Sequence, residues 1–325
     1  MSQSPELVLA PGPPLHAPDT TARIMWWVNA SLAPAALWGA FVFGAAAVAT
    51  LASAIAGAAG AEWLACRALK RRATLADGSA TCTGLLLALT LPPAMPLWMP
   101  LLGGAFAILV AKMMFGGLGF NLFNPALAGR AFMMATFPLA MTGAWVAPRP
   151  HFAARLDAVT TATPLGALKD HGLAAAMRLV AGPDYWSGLA LGFRPGSLGE
   201  VSAVLIALGA GVLVARRIIG LSIPLGVFAG VIATTIWSGA AGLHLLGGGL
   251  WLGAFYMATD YVTSPSTRRG QWVFGLVIGV LTGIIRMFGG YPEGICYAIL
   301  IANALVPALN LWFRPRRLAL AGSPS

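Results

Sequence analysis

Long runs of apolar residues, separated by short clusters of Gly, Pro and charged residues, dominate the pattern along the chain. Each run approaches the roughly 20 residues that a helix needs to cross a bilayer. The pattern predicts an all-α polytopic membrane protein of about ten transmembrane helices. The predicted spans lie near residues 24–44, 45–66, 79–92, 96–114, 122–141, 200–216, 221–238, 241–258, 272–288 and 294–313. A long loop, residues 142–199, separates the fifth span from the sixth.

The third predicted span differs from the others because it is short and ends at Pro92-Pro93. Proline in a helix interior removes a backbone hydrogen bond and kinks or breaks the helix, so this segment is expected to be a broken or re-entrant half-helix. Lipid tolerates such a break only where protein or a cavity covers the freed backbone groups. The short span therefore indicates a binding site nearby.

Two short stretches occur twice in the sequence. Residues 87–92 align loosely with 256–261, and residues 112–117 align with 285–290. Both matches fall five spans apart, an odd number, so the two halves would have opposite orientations in the membrane. This predicts two inverted five-helix repeats. The domain division is then a tail, a first repeat, the loop, a second repeat and a second tail, at residues 1–23, 24–141, 142–199, 200–313 and 314–325.

Composition supports lipid as the solvent, since 58% of the 325 residues are hydrophobic and 9% are charged. The net charge of +10 does not indicate nucleic acid, because the basic residues stand mostly in pairs at the ends of apolar runs. With the amino terminus in the cytoplasm, most of the 20 basic residues, Arg130 among them, fall at inner ends. Both termini are therefore predicted to be cytoplasmic, and residues 142–199 periplasmic.

The residues of metal and haem chemistry are few. The three cysteines form no C-x-x-C pattern, and no two of the four histidines lie inside the predicted spans. We therefore predict no metal site, no disulfide framework and no bis-histidine haem.

The long loop contains a hydroxyl-rich run beside an acid, at residues 157–165. A residue that precedes proline is driven to extended backbone geometry, so Thr163 is expected to project its hydroxyl outwards. An exposed hydroxyl in this position can accept a chemical group. Taken alone, such a run is more typical of a solvated turn.

Further motifs surround this run in the sequence. They occupy residues 77–93, 115–126, 196–202, 258–265 and 291–294. Together with the D-x-x-T-x-A-T pattern that ends at Thr163, these stretches resemble the RnfD and NqrB family. The resemblance covers nearly the whole chain after Arg23, and the short amino-terminal tail favours the RnfD branch.

The resemblance implies a subunit of the Rnf complex, a redox-driven ion translocase of the bacterial cell inner membrane. That complex moves electrons between NADH and ferredoxin and couples this to Na⁺ or H⁺ transport, with nicotinamide and ferredoxin sites in other subunits. The family's acceptor motif falls on Asp157, Thr160, Ala162 and Thr163, and Thr163 would carry FMN through a phosphoester bond. Thr161 departs from the family, which commonly has Gly or Ser at that position.

The resemblance also implies partners and a second cofactor. The expected partners are the other Rnf subunits, including a flavoprotein subunit, the membrane lipid, and a flavin transferase that attaches FMN. By analogy with NqrB, riboflavin is expected as a second flavin between the two repeats. The protein's part is to hold the flavins, which carry out the redox chemistry.

Two other groups of residues are candidates for cofactor or ion binding. Gly116, Gly117 and Gly119 allow close backbone approach, which suits a flavin ring or a phosphate, although a tight turn between helices needs the same residues. Asp260 lies at the inner end of an apolar run and is a candidate for ion coupling. The alternative for Asp260 is an ion pair with Arg268 or Arg269.

Several polar residues have structural explanations that need no ligand. Asp77 and Ser79 precede an apolar run and could cap a helix, with ligand binding as the alternative. Pro125 is expected in the first turn of a helix. Arg286 and Glu293 flank one turn and could pair with each other.

A secondary transporter for a small solute is the competing interpretation, because composition and an inverted repeat fit it equally well. Its site would lie at the repeat interface, beside the broken third span. The loop motif from Asp157 to Thr163 separates the two hypotheses, since a transporter has no need of it.

Overall fold

The computed structural model describes residues 19–71, 74–146, 163–179, 188–190, 192, 194–200 and 202–314. Throughout these residues the fold is all-helical, as the sequence predicts. The helices are α1 (Thr21–Phe43), α2 (Ala45–Ala68), α3 (Ser79–Leu89), α4 (Trp98–Ile108), α5 (Pro125–Thr136), α6 (Pro138–Gly143), α7 (Pro164–His171), α8 (Leu173–Arg178), α9 (Ala203–Ala215), α10 (Ser222–Thr235), α11 (Ala241–Leu246), α12 (Leu250–Leu252), α13 (Arg268–Phe288) and α14 (Ile295–Trp312). Short 3₁₀ or π turns extend this set at Leu75–Asp77, Leu109–Met113, Leu198–Glu200, Ile236–Ser238 and Gly253–Met257.

Four of these helices, α1, α2, α13 and α14, are long and apolar enough to cross a membrane. The shorter apolar helices include α3, α4, α9 and α10, and the predicted spans at 122–141 and 241–258 each correspond to two short helices. The boundary between the first two spans falls at Gly44, whose φ of 73° ends α1 and starts α2. The protein is thus a polytopic membrane protein, and the number of ten complete crossings stays a prediction.

The predicted half-helix is confirmed in α3, which ends at Leu89 before the two prolines. Other parts of the protein satisfy the carbonyl groups beyond its end. The Leu198 N–H donates to the Leu91 carbonyl at 3.3 Å, and the Thr50 hydroxyl donates to the Pro93 carbonyl at 3.0 Å. This covering of the backbone is what makes a helix end tolerable inside a membrane protein.

Glycines allow the closest helix contacts in both halves of the bundle. In the first half α2 packs on α4, and a Cβ added to Gly57 would lie 2.1 Å from the Leu101 carbonyl oxygen. In the second half α10 packs on α13, and a Cβ on Gly279 would lie 2.2 Å from the Val227 carbonyl oxygen. Small residues at such crossings let two backbones approach directly.

We therefore expect Gly279→Ala to destabilise the protein, because its methyl group cannot be accommodated without separating α10 from α13. The expected cost is about 1–3 kcal/mol, typical of overpacking. The matched control is Gly211→Ala in α9, where an added Cβ meets no atom within 4 Å. Thermal unfolding in detergent should show a lower midpoint for Gly279→Ala and an equal or higher one for Gly211→Ala. Equal midpoints for both variants would contradict the packing.

Part of the long loop lies against the bundle. Helix α7 packs on α11, where Leu165 and Ala167 form a buried cluster with Leu243. The Lys169 ammonium donates to the Gly289 carbonyl at the end of α13. These contacts fix the segment that begins at Thr163 on the membrane helices.

Candidate functional site

Thr163 is the N-cap residue of α7, and the fold of this segment follows from its sequence. Its φ of −73° and ψ of 152° confirm the extended backbone predicted for a residue before proline. The Gly166 N–H donates to the Thr163 hydroxyl oxygen at 3.1 Å, which is normal N-cap geometry. The expectation of an exposed hydroxyl is wrong, because α7 packs on the bundle and leaves Thr163 only 6% exposed.

A cavity of about 230 Å³ lies beside Thr163. Its lining includes aromatic and methionine side chains together with charged ones. The ring centroids of Tyr291 and Tyr297 are 5.2 Å apart, so the two rings form one tilted aromatic surface. The charged lining consists of Arg130, Glu293 and Asp170. Thr163, an aromatic surface and an arginine therefore line the same cavity.

Arg130 and Glu293 form a buried ion pair in this wall, with side chains 6% and 14% exposed. The Arg130 guanidinium donates to the Glu293 carboxylate and to the Thr90 carbonyl beyond the end of α3. Arg130 stands in the middle of α5, where a buried charge is tolerable only because it is paired. Its place relative to the membrane stays a prediction.

The sequence suggested that Arg286 and Glu293 pair with each other. In the structure Arg286 does not pair with the Glu293 carboxylate. Its guanidinium donates instead to backbone carbonyls, those of Glu293 at 2.8 Å, Gly247 at 3.1 Å and Gly248 at 3.2 Å. It therefore ties the end of α13 to the loop between α11 and α12. The Glu293 carboxylate pairs with Arg130 instead.

Glu200 stands behind Glu293, in the turn Leu198–Glu200 outside the membrane-spanning helices. Burial raises the pKa of the Glu200 carboxyl to about 8, and the neighbouring Glu293 carboxylate adds to the shift. Both effects disfavour the ionised form of Glu200.

A second cavity, of about 90 Å³, lies between α1 and α3 of the first half and α9 and the turn after α12 of the second. Its polar lining includes Lys112, Ser79 and Asp260. The Lys112 ammonium donates to Glu62 at 2.7 Å and to the Ser79 hydroxyl at 2.6 Å.

Asp260 is half-buried at the wall of this second cavity. Its carboxylate accepts hydrogen bonds from the Thr263 hydroxyl at 3.1 Å and the Val262 N–H at 3.4 Å. Within the described residues it forms no ion pair with Arg268 or Arg269, so that alternative is wrong. Its role in ion coupling stays a prediction.

The three candidate glycines lie away from Thr163. Gly116, Gly117 and Gly119 have φ values of 119°, 109° and 94° in the loop after α4, a backbone that other residues rarely adopt. Leu118, between them, lines the second cavity. Three further motif residues, Asp157, Thr160 and Ala162, lie outside the described residues.

Pro125 lies in the first turn of a helix, as predicted, whereas the N-cap residue of α3 is Gly78 and not Asp77 or Ser79. The Asn124 side chain accepts from two backbone N–H groups at the start of α5, and Pro125 occupies the first position of that helix. The Asp77 carboxylate accepts from the Ser79 N–H at 2.7 Å. Their hydrogen bonds at the helix starts explain the positions of Asn124 and Asp77 without a ligand. Asn124 and Ser79 nevertheless both line the second cavity.

Comparison with known proteins defines the family. The model of the NQR2, RnfD, RnfE family matches residues 8–319 of the chain. The chain belongs to the NQR2, RnfD, RnfE family. Curated relatives match over nearly their whole length. The D subunit of the proton-translocating ferredoxin:NAD(+) oxidoreductase complex of Clostridium ljungdahlii is 40% identical, with 94% of each chain covered.

Other relatives in the NQR2, RnfD, RnfE family have related names. The D subunit of the Na(+)-translocating ferredoxin:NAD(+) oxidoreductase complex of Acetobacterium woodii is 38% identical, with 95% of this chain and 94% of the relative covered. The D subunit of the ion-translocating oxidoreductase complex of Halorhodospira halophila is 37% identical, with 95% and 94% covered. These relatives are named as subunits of redox complexes, as the sequence motifs predict.

The motifs alone do not predict the pair of charges in the Thr163 cavity of this NQR2, RnfD, RnfE family member. Arg130 and Glu293 are 163 positions apart, and Arg130 belongs to none of the family-like motifs. Its one sequence signal is a charged residue inside an otherwise apolar run. Such a residue in a membrane span is a functional candidate by default.

Proposed function

We propose that the chain is the electron-carrying membrane subunit of an Rnf-type complex, with FMN joined to Thr163 by a phosphoester. The complex passes electrons between NADH and ferredoxin and couples this to transport of Na⁺ or H⁺. The names of the relatives support the complex, and the site at Thr163 supports the cofactor. The chain contributes binding and electrostatics, and the nicotinamide and ferredoxin sites belong to other subunits.

The position of Thr163 at the start of α7 is the observation that carries the proposal. An N-cap hydroxyl stands beside backbone N–H groups that have no partner within the helix, and here Pro164 removes one competing donor. An anionic phosphate in this position gains from the remaining N–H groups and from the helix dipole. The aromatic wall of Tyr291 and Tyr297 suits a flat ring, and Arg130 suits a negative group.

The burial of Thr163 has a consequence for assembly. A transferase needs access to the hydroxyl oxygen, which is covered when α7 lies on the bundle. We therefore propose that FMN is attached before α7 packs, after which α7 and α11 hold the tethered group in place. When bound, FMN takes up and releases electrons, which the side chains of this chain cannot do.

Riboflavin is proposed for the second cavity, as the resemblance implies. The cavity lies between the two halves, and Lys112, Asn121 and Asn124 supply polar groups to its wall. At about 90 Å³ this cavity is smaller than the one beside Thr163. Asp260 in the same wall is proposed as the residue that responds to the coupling ion.

The arrangement of the chain in the membrane is part of the proposal. The two halves are proposed to be inverted repeats, supported by the matching contacts of α2 with α4 and of α10 with α13. In each half the Phe-Gly-Gly stretch follows the second helix of the pair, at Phe115 and Phe288. We place the protein in a bacterial inner membrane with both termini cytoplasmic and residues 142–199 periplasmic, next to a flavoprotein subunit.

The test is mass spectrometry of the complex purified from cells that contain its flavin transferase. Trypsin should release the peptide from Leu156 to Lys169, which contains Thr163. We expect this peptide to carry the mass of FMN less one water, and fragmentation to place the addition on Thr163. The control is the same complex from cells that lack the transferase, which should give the bare peptide. A bare peptide from the fully matured complex would overturn the proposal and leave the transporter hypothesis as the better one.

A further inference from the structure

The wall of the Thr163 cavity contains a buried pair of opposite charges. Arg130 comes from α5 in the first half, and Glu293 comes from the turn before α14 in the second. The two side chains contact each other, and both line the cavity that Thr163 lines. A charge at this depth is weakly screened, so it acts strongly on any charge that appears in the cavity.

We propose that Arg130 and Glu293 are positioning residues that set the reduction potential of a flavin held at Thr163. This inference rests on the proposed function. A flavin bound there would gain one negative charge with each electron that a donor centre of the complex supplied. No bond breaks in either side chain, and no proton needs to move. Arg130 stabilises the added charge, whereas Glu293 opposes it, and charges near the ring are a general means of tuning flavins.

Two other charged residues near the pair are expected to affect the flavin potential less. The Arg286 N–H groups donate to backbone carbonyls, and Arg286 does not line the cavity. Asp170 does line the cavity, but it is exposed, so solvent and salt screen its charge. Asp170 thus provides a carboxylate of equal charge at the same cavity with a much weaker expected effect.

The experiment is a redox titration of the covalently bound flavin, followed by absorbance in the purified complex. Arg130→Gln should make reduction at least tenfold less favourable, which is a fall of about 59 mV for a one-electron couple. Glu293→Gln should raise the potential by a similar amount, and the double variant should return towards wild type. Asp170→Asn should shift the potential by less than a third of either change.

Two comparisons separate the effect of charge on the potential from the effect of an altered structure. Arg130→Lys keeps the positive charge, so its potential should stay nearer to wild type than that of Arg130→Gln. Glu293→Gln keeps the size of the side chain, so its upward shift tests the inference even if the Arg130 variants fail to fold. The inference would be overturned if flavin fluorescence persists in the denatured gel band and both single variants shift the potential in the same direction, or neither shifts it. Absence of that fluorescence in wild type would instead overturn the proposed function.

Discussion

Replacement of Thr163 by alanine is expected to abolish covalently bound flavin. The alanine lacks the hydroxyl oxygen that the proposed phosphoester requires, and no other atom of the side chain can replace it. The purified complex, denatured and separated on a gel, should show a fluorescent band for wild type and none for Thr163→Ala. Mass spectrometry of the Leu156–Lys169 peptide should give the bare mass for the variant.

Two control variants separate the loss of the ester from the loss of the helix cap. Thr163→Ser keeps a hydroxyl that can cap α7 and should retain bound flavin. Thr142→Ala removes a hydroxyl from the wall of the same cavity and should keep full fluorescence. Loss of the cap alone costs only about 1 kcal/mol, so Thr163→Ala should still fold. Fluorescence that persists in Thr163→Ala would place the attachment elsewhere.

Replacement of Lys112 by methionine is expected to have the largest effect on stability. The Lys112 and Glu62 side chains are 3% and 0% exposed, and their charged atoms are 2.7 Å apart. Removal of one partner leaves an uncompensated charge in the interior, which typically costs about 3–5 kcal/mol. Thermal unfolding in detergent should show a large fall in the midpoint, and the yield of monodisperse protein should fall with it.

The double variant Glu62→Met with Lys112→Met should recover much of this loss, because no buried charge is then left unpaired. Lys70→Met provides the matched control, since Lys70 is exposed at the end of α2. Its midpoint should stay close to that of wild type, because surface substitutions usually change stability by about 0.5 kcal/mol or less. Equal midpoints for Lys112→Met and Lys70→Met would refute the pair's contribution.

The predictions that were confirmed depend on local signals. The all-helical class follows from the length of the apolar runs, and the half-helix α3 follows from Pro92 and Pro93. The place of Pro125 in the first turn of α5 and the extended backbone at Thr163 likewise depend on neighbours in sequence. In each case one or two residues restrict the backbone directly, so no knowledge of the tertiary fold is needed.

What the sequence could not predict depends on contacts between distant residues. Helices such as α9 are apolar on all sides, so the pattern does not indicate which face meets protein and which meets lipid. The burial of Thr163 results from the packing of α7 on α11, and the partner of Arg130 comes from the turn before α14. Nothing local to either residue indicates these contacts.

Hydrogen bonds between the two halves restrict how the molecule can move. Besides the Arg130–Glu293 pair, the Asn124 amide donates to the Met257 carbonyl at 3.2 Å, and the Tyr256 hydroxyl donates to the Ser31 carbonyl at 3.4 Å. A transporter that works by rocking one half against the other has to break such bonds in every cycle. These bonds give the molecule the construction of a static frame, so that groups held at Thr163 and in the second cavity would keep one separation.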